Sequence, residues 1–173
     1  MIVCPFCDAE NIPGADHCVA CGQSLSELHL PEPATEVEHA LLKDRVRVLA
    51  PKTPVCVAPR TPVRDVIRTL IDKQIGSVLV VENDRVVGIF SERDALMKLN
   101  TEAVTLGDHP VSEFMTASVR TLVESAKIAF AVKEMDLGGY RHLPIVDADG
   151  KPTGIISVRD ILRYLEEKQA MVG

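Results

Sequence analysis

The chain has 173 residues, of which 46% are hydrophobic and 25% are charged, so its composition is that of an ordinary globular protein. Aromatic residues make up 3% and Trp is absent, so aliphatic side chains must build the core. The formal net charge is −6, and the first 42 residues contain no Lys or Arg. Phosphate backbones would be repelled there, which argues against a nucleic-acid partner.

The hydrophobic pattern gives no indication of a membrane protein. No apolar run approaches the roughly 20 residues that cross a bilayer, and no basic region precedes an apolar stretch as in a secretory signal. We therefore expect a cytoplasmic protein with no membrane partner. In that reducing compartment, clustered cysteines bind metal or carry out redox chemistry more often than they form structural disulfides.

Two Cys-x-x-Cys pairs lie near the start of the chain. Each turn of this spacing directs two sulfurs to one point, and two such turns complete the tetrahedron that Zn²⁺ favours. So short a segment cannot bury enough surface to fold alone, so the metal would supply its folding energy. We expect positive φ angles at Asp8 and Gly22, which follow the two pairs. The predicted ligands are Cys4, Cys7, Cys18 and Cys21.

Residues 1–25 resemble a zinc ribbon, and iron in a rubredoxin-like site is the alternative metal. Two other interpretations stay open. The first pair alone resembles a thiol–disulfide redox motif, which would need a βαβ context that Pro13 and Gly14 interrupt. The cysteines could also belong to a disordered tail. His17 is expected at the surface or behind the ligands, because four thiolates already complete the coordination shell.

Residues 26–45 are predicted to form a linker that includes a short helix. The segment is acidic, and Pro31 and Pro33 favour an extended conformation at its start. Thr35 is placed to cap a helix that continues to Lys43. The apolar face of this helix would carry Val37, Ala40 and Leu41.

The rest of the sequence repeats itself with an offset of 66 residues, since GIFSERD at 88–94 matches GIISVRD at 154–160. Each copy follows a β-rich run split by turn residues, which predicts two strands leading into a helix. Ahead of these strands a further helix is predicted, capped in the first copy by Thr61 with Pro62 as its first residue. Short strands are expected before these helices, at Val55–Val57 and Val119–Thr121.

The unit is strand–helix–strand–strand–helix, twice, which is an α/β (α+β) fold. With GYRHLP at 139–144, the two GIxSxxD segments resemble cystathionine-β-synthase (CBS) domains. The resemblance implies two tandem β-α-β-β-α domains in pseudo-two-fold packing, the first at 46–100 and the second, with the inter-domain linker, at 101–167, before a tail at 168–173. It also implies a homodimer and a cleft between the domains for adenine nucleotides or related adenosyl ligands.

The junctions between strand and helix suit such a ligand. A helix N-terminus favours phosphate, and a carboxylate offers two acceptor oxygens to the two hydroxyls of a ribose. The resemblance assigns Asp94 and Asp160 to ribose, and Ser91 and Ser157 to the phosphate side. The same spacing is that of a capping box, in which these side chains satisfy the helix terminus instead.

Basic residues near these junctions are candidates for phosphate contacts. Arg141 and His142 precede a strand of the second copy, and we expect them in the cleft that contains Ser157 and Asp160. That cleft would be the better site, because the first copy has Gly76-Ser77 at the comparable place. Two further residues, Arg93 and Arg159, either add charge or lie on a solvated helix face.

We therefore expect a non-enzymatic sensor that binds an adenine nucleotide and signals to an unidentified regulated protein. No nucleophile–base pair, carboxylate dyad or glycine-rich phosphate loop indicates catalysis. The alternatives are a nucleic-acid-binding protein that uses the ribbon and a rubredoxin-like iron electron-transfer protein. The remaining thiol, Cys56, lies in an apolar strand and is expected to be buried.

Overall fold

The computed structural model describes residues 1–25 and 35–172, with side chains through residue 170. It confirms the mixed α/β architecture with two repeats. The elements are β1 (Ile2–Val3), β2 (Glu10–Asn11), α1 (Glu36–Lys43), β3 (Cys56–Val57), α2 (Val63–Lys73), β4 (Ser77–Glu82), β5 (Arg85–Ser91), α3 (Glu92–Asp94), β6 (Thr116–Ala117), α4 (Ile128–Gly138), β7 (His142–Val146), β8 (Pro152–Ser157) and α5 (Val158–Val172).

The first repeat is a four-stranded sheet in the order β3-β4-β5-β6, in which β3 and β4 are parallel and the other pairs antiparallel. The turn between β4 and β5 consists of Asn83 and Asp84, both with positive φ, as a tight two-residue hairpin requires. A π-helix at 95–99 continues α3. The core under the sheet is aliphatic apart from Phe90.

The second repeat centres on the antiparallel pair β7-β8, and single-residue bridges complete its edges. Leu122 pairs in parallel with Ile145, and Lys52 pairs antiparallel with Ile155. The strand predicted at Val119–Thr121 is therefore wrong. Ser118 has a φ of 56°, which interrupts the extended run, and pairing resumes only at Leu122.

Each repeat takes part of its structure from the segment that precedes the other. Val46 and Leu49, in a short 3-10 helix ahead of β3, are buried in the core of the second repeat. Conversely β6, which precedes the second repeat, pairs with β5 of the first. The two repeats are therefore joined by more than surface contact.

Helix boundaries agree with the sequence at α1 and differ at α2. Thr35 caps α1 in a capping box with Glu38, as predicted. At α2, Pro62 is the N-cap and no side chain caps the helix, so the predicted start at Pro62 was one residue early. Carbonyls of the loop at 107–109 accept from the first α2 amides and do the work of a cap.

Two further predictions differ from the structure. Cys56 is exposed rather than buried, because it lies on the two-residue edge strand β3 between Val55 and Val57, which pack on the core. Helix α5 extends through Val172, so the segment expected to be a tail continues the last helix. The predicted extended linker at Pro31 and Pro33 lies outside the described residues. Within the described part of the chain, none of the helices combines the length and the apolar composition that crossing a bilayer demands.

Candidate functional site

The four cysteines of the N-terminal pairs converge. Their sulfur atoms all lie within 4.8 Å of one another. Across the two turns, the Cys4 and Cys21 sulfurs are 3.8 Å apart and those of Cys7 and Cys18 are 3.6 Å apart. A tetrahedral Zn²⁺ with Zn–S bonds of about 2.3 Å separates its sulfurs by about 3.8 Å, so the cluster fits such an ion.

Hydrogen bonds favour a thiolate at Cys18, whereas burial raises the pKa values of Cys7 and Cys21. The Phe6 and Ala20 amides each lie 3.4 Å from a cysteine sulfur, as donors to Cys4 and Cys18 respectively. Burial opposes ionisation of Cys18, but hydrogen bonds that include the Asn11 amide lower its pKa to about 6. For Cys7, burial is the larger effect and raises the pKa. The φ angles of Asp8 (60°) and Gly22 (70°) confirm the two predicted turns, and His17 is exposed.

The cysteine segment is docked on the second repeat. The Phe6 ring stacks on Phe130 of α4, and the Phe6 carbonyl accepts from the Lys127 amide at 2.9 Å. Asp8 forms ion pairs with Arg45 and with Lys127. The first Cys-x-x-Cys turn is thereby attached at the N-terminal end of α4.

A cavity of about 720 Å³ lies where the two repeats meet. The first repeat contributes the end of β5, α3 and the helical segment after it, and the second contributes the residues that join α4 to β7. Its polar and charged lining residues are Ser91, Glu92, Arg93, Asp94, Lys98, Thr116, Tyr140, Arg141 and His142.

The Asp94 carboxylate is the most elaborately bonded group in this cleft. It accepts from the amide and hydroxyl of Ser91 at 2.9 and 2.7 Å, from the Thr116 hydroxyl at 2.9 Å and from the Lys98 ammonium at 2.8 Å. Burial alone would raise the Asp94 pKa, but these hydrogen bonds outweigh burial and lower it. The capping-box geometry anticipated from Ser-x-x-Asp spacing is thus present.

The second Ser-x-x-Asp segment repeats part of this arrangement. Asp160 is buried and accepts from both the amide and the hydroxyl of Ser157 at 2.7 Å. Its cationic neighbours are more distant, with Lys52 at 3.9 Å and Arg163 at 3.7 Å. Arg159 is exposed and is not among the residues that line the cleft.

The basic pair Arg141 and His142 lies next to Ser157, since His142 pairs with Ser157 between β7 and β8 and the Arg141 carbonyl accepts from the Val158 amide. We expected the pair in one cleft with Ser157 and Asp160, but the cavity that it lines contains Ser91 and Asp94 instead. The reason lies in the packing of the repeats. Gly76 of the first repeat has no side chain, and a Cβ atom there would lie 3.0 Å from the His142 ring. His142 therefore reaches across the boundary toward the first repeat.

The environment of His142 keeps its ring neutral. Burial is the main cause and lowers its pKa below the usual 6.5, while Glu92 and Asp160 partly offset that shift. A neutral imidazole offers one donor and one acceptor, whereas Arg141 beside it is exposed and permanently charged.

Four polar or charged lining residues were not among the predicted site residues: Glu92, Lys98, Thr116 and Tyr140. Lys98 lies four residues after Asp94 on the same helix, a spacing that could have indicated an ion pair. Thr116 follows Asp94 by 22 residues and lies on β6, so no local pattern predicted that it would contact Asp94. Tyr140 was noted only as part of the GYRHLP segment.

The CBS domain model matches residues 46–101 and 111–167 of this chain. The chain belongs to the CBS domain family. An uncharacterized 17.7 kDa protein of Acidianus ambivalens is 33% identical over 116 residues, which cover 66% of this chain and 69% of that protein. Inosine-5'-monophosphate dehydrogenase of Thermoplasma acidophilum is 30% identical over 160 residues, but the alignment spans 31% of the enzyme.

Solved structures show the same CBS fold. A CBS-domain-containing protein of Agrobacterium tumefaciens superposes with a TM-score of 0.64 at 28% identity, covering 70% of this chain and 98% of that one. CBSX2, solved in complex with AMP, superposes with a TM-score of 0.60 at 26% identity and covers 72% and 98%. The N-terminal cysteine segment precedes the part of the chain that the CBS model matches.

Proposed function

We propose that this protein is a non-catalytic regulator that binds an adenine nucleotide in the cleft between its two CBS domains. One observation carries the proposal: Asp94 of the first repeat and Arg141 and His142 of the second line the same 720 Å³ cavity. The carboxylate suits ribose hydroxyls, and the guanidinium suits phosphate. AMP in CBSX2 supports the ligand class.

Within this site, Asp94 is assigned to ribose and Ser91 to the phosphate side, with Arg141, His142 and Arg93 as phosphate contacts. A second, weaker site is assigned to Asp160 and Ser157, as the sequence repeat suggests. Its carboxylate has no cation within hydrogen-bonding distance among the described residues, since the nearest recorded ion pair spans 3.7 Å. Arg159 is left to the solvated face of α5.

The four N-terminal cysteines are assigned to a structural Zn²⁺ site within a ribbon. The rest of the chain is divided into a linker and two CBS domains. The sulfur separations near 3.8 Å support this assignment. When bound, the ion would hold the two turns together. In this scheme the ribbon, linked to α4 through Phe6, is the contact for a regulated protein in the cytoplasm.

A homodimer is part of the proposal. Equivalent positions of the two repeats expose large apolar side chains, and such paired apolar positions are typical of association surfaces. On the first helices these are Ile71 and Leu137, which are 68% and 73% exposed, and on the last helices Leu96 and Leu162, which are 73% and 58% exposed.

Calorimetric titration with AMP and with adenosine tests the nucleotide assignment. Asp94→Asn should lower the affinity for both ligands by about tenfold, because both carry ribose. Arg141→Gln should weaken AMP by one to two orders of magnitude and leave adenosine nearly unchanged, since hydrogen bonds to charged groups contribute about 1.5–3 kcal/mol. Arg159→Gln is the matched control, because this arginine lies outside the cleft.

Two outcomes would contradict the assignment of the nucleotide site to Asp94. If Asp94→Asn leaves both affinities unchanged while the protein stays folded, Ser91 and Asp94 serve only as a helix cap. If Asp160→Asn alone abolishes binding, the ligand occupies the second site instead.

A further inference from the structure

The Lys98 ammonium occupies a cluster of oxygen atoms in the cleft. It lies 2.8 Å from Asp94 Oδ1, and donates to the carbonyls of Phe114 and Met115 at 2.7 and 3.1 Å. The Thr116 hydroxyl is 3.5 Å away. An ammonium has three protons to donate, so this set of acceptors satisfies it fully.

This arrangement belongs to the first repeat alone. The residue equivalent to Lys98 in the second repeat, 66 positions later, is Tyr164, whose side chain is buried and donates to Asp44 at 2.8 Å. Asp160 therefore has no counterpart of the Lys98 hydrogen bond. The difference points to a specific role for Lys98 rather than to a feature required by the CBS fold.

We propose that Lys98 determines ligand selectivity, so that the cleft prefers phosphate-bearing adenine nucleotides over neutral or cationic adenosyl compounds. The proposal rests on the nucleotide-binding function above. In the free protein the ammonium occupies the carboxylate oxygen that the ribose hydroxyls need. A ligand that engages Asp94 must compete with it.

Ligands differ in what they offer the displaced ammonium. Adenosine and 5'-methylthioadenosine carry no anionic group, so the charge-assisted hydrogen bonds of Lys98 are lost without replacement. A phosphate in the same cavity accepts from Lys98 and restores them. S-adenosylmethionine has a net positive charge despite its carboxylate, and the cleft is lined by three cations, Arg93, Lys98 and Arg141, against two carboxylates, Glu92 and Asp94.

The low pKa of Asp94 agrees with this competition. After burial, which raises the pKa, the hydrogen bond from Lys98 is the largest influence on the carboxylate, and it lowers the pKa. The Lys98 side chain is 39% exposed and lines the cleft, so it is not enclosed in the core. We expect the ammonium to change partners without a rearrangement of the core.

Titration of Lys98→Met with adenosine, AMP and S-adenosylmethionine tests the proposal. Removing the competing ammonium should increase the affinity for adenosine by about threefold. The affinity for AMP should fall by about tenfold, because its phosphate loses a cation. The affinity for S-adenosylmethionine should increase by at least as much as the affinity for adenosine. Lys98→Arg should keep the preference for AMP, and Lys73→Met, at the exposed end of α2, is the control.

The opposed changes for adenosine and AMP are the deciding readout, because a merely structural lysine would shift both affinities in one direction. A parallel shift, or no shift in either, overturns the selectivity role and leaves the nucleotide site intact. If neither wild type nor Lys98→Met binds any of the three ligands, the proposed function itself is wrong and the selectivity role with it. Should Lys98→Met fail to fold, Lys98→Gln gives the same comparison.

Discussion

The Phe6 ring stacks on the Phe130 ring with centroids 3.5 Å apart and an angle of 24° between the planes. Phe6 lies between Cys4 and Cys7, and Phe130 lies in the first turn of α4. The same helix ends at Gly138, which lines the cleft between the repeats. One rigid helix therefore joins the cysteine cluster to the candidate nucleotide site.

Breaking this stack should destabilise the protein in a metal-dependent way. Phe130→Ala removes a side chain that is 4% exposed, so we expect a loss of about 3 kcal/mol in the metal-loaded protein. With a chelator present the loss should be smaller, because the partner ring is then no longer held in place. Denaturant unfolding with and without zinc measures both values. Phe114→Ala, at a ring that packs against the core of the first repeat, should cost the same in either condition.

The cysteine cluster should bind one metal ion per chain. Elemental analysis of the purified protein is expected to find one equivalent of zinc, and Cys4→Ser should lower both the metal content and the melting temperature. Cys56→Ser is the matched control, since that thiol is exposed and lies outside the cluster. A red, iron-containing preparation would identify the rubredoxin-like alternative, and a metal-free protein with an intact ribbon would contradict both.

The free energy of unfolding should fall as the pH drops below 6.5. Burial lowers the folded-state pKa of His142, so between 6.5 and that lower value the unfolded chain binds a proton that the folded chain does not. Stability is therefore complete above pH 6.5 and decreases below it. His142→Gln should remove this pH-dependent component, and urea unfolding of both proteins above and below pH 6.5 measures it.

The hydroxyl of Tyr164 should contribute about 1 kcal/mol through its hydrogen bond to Asp44. Burial would raise the Asp44 pKa, but Lys168 and Tyr164 outweigh it and lower the pKa below 3.8. The contribution of the ionised Asp44 is therefore present above pH 3.8 and is lost as the pH falls through the folded-state value. Urea unfolding of Tyr164→Phe should show the full loss at pH 7 and a smaller one once the pH is below the folded-state pKa of Asp44. An equal loss at both values would mean that packing alone matters.

Introducing a charge at the apolar helix face should dissociate the proposed dimer. Leu162→Asp places a carboxylate on α5 at a position that is 58% exposed, and we expect dimer affinity to fall by at least about tenfold. Val104→Asp is the control, because that residue is 95% exposed in the segment between the repeats. Sedimentation measures both variants. A monomeric wild type at micromolar concentration would rule out the dimer.

The local features of this protein could be predicted from its sequence. The spacing of Cys4, Cys7, Cys18 and Cys21 indicated convergent sulfurs, because two residues between cysteines constrain each turn regardless of the rest of the fold. The repeat of GIxSxxD indicated two related units with a serine and an aspartate at each junction. The contact between Ser91 and Asp94 followed from a separation of three residues on one helical turn.

Contacts between distant segments depended on the tertiary structure. We expected Arg141 and His142 in a cleft with Asp160, but the cavity that they line contains Asp94, because the missing side chain at Gly76 lets His142 approach the first repeat. Neither the stack of Phe6 on Phe130 nor the hydrogen bond from Thr116 to Asp94 leaves a local pattern. Local spacing specifies which side chains share a turn, whereas the pairing of faces between repeats depends on which side chains are small enough to let the others pass.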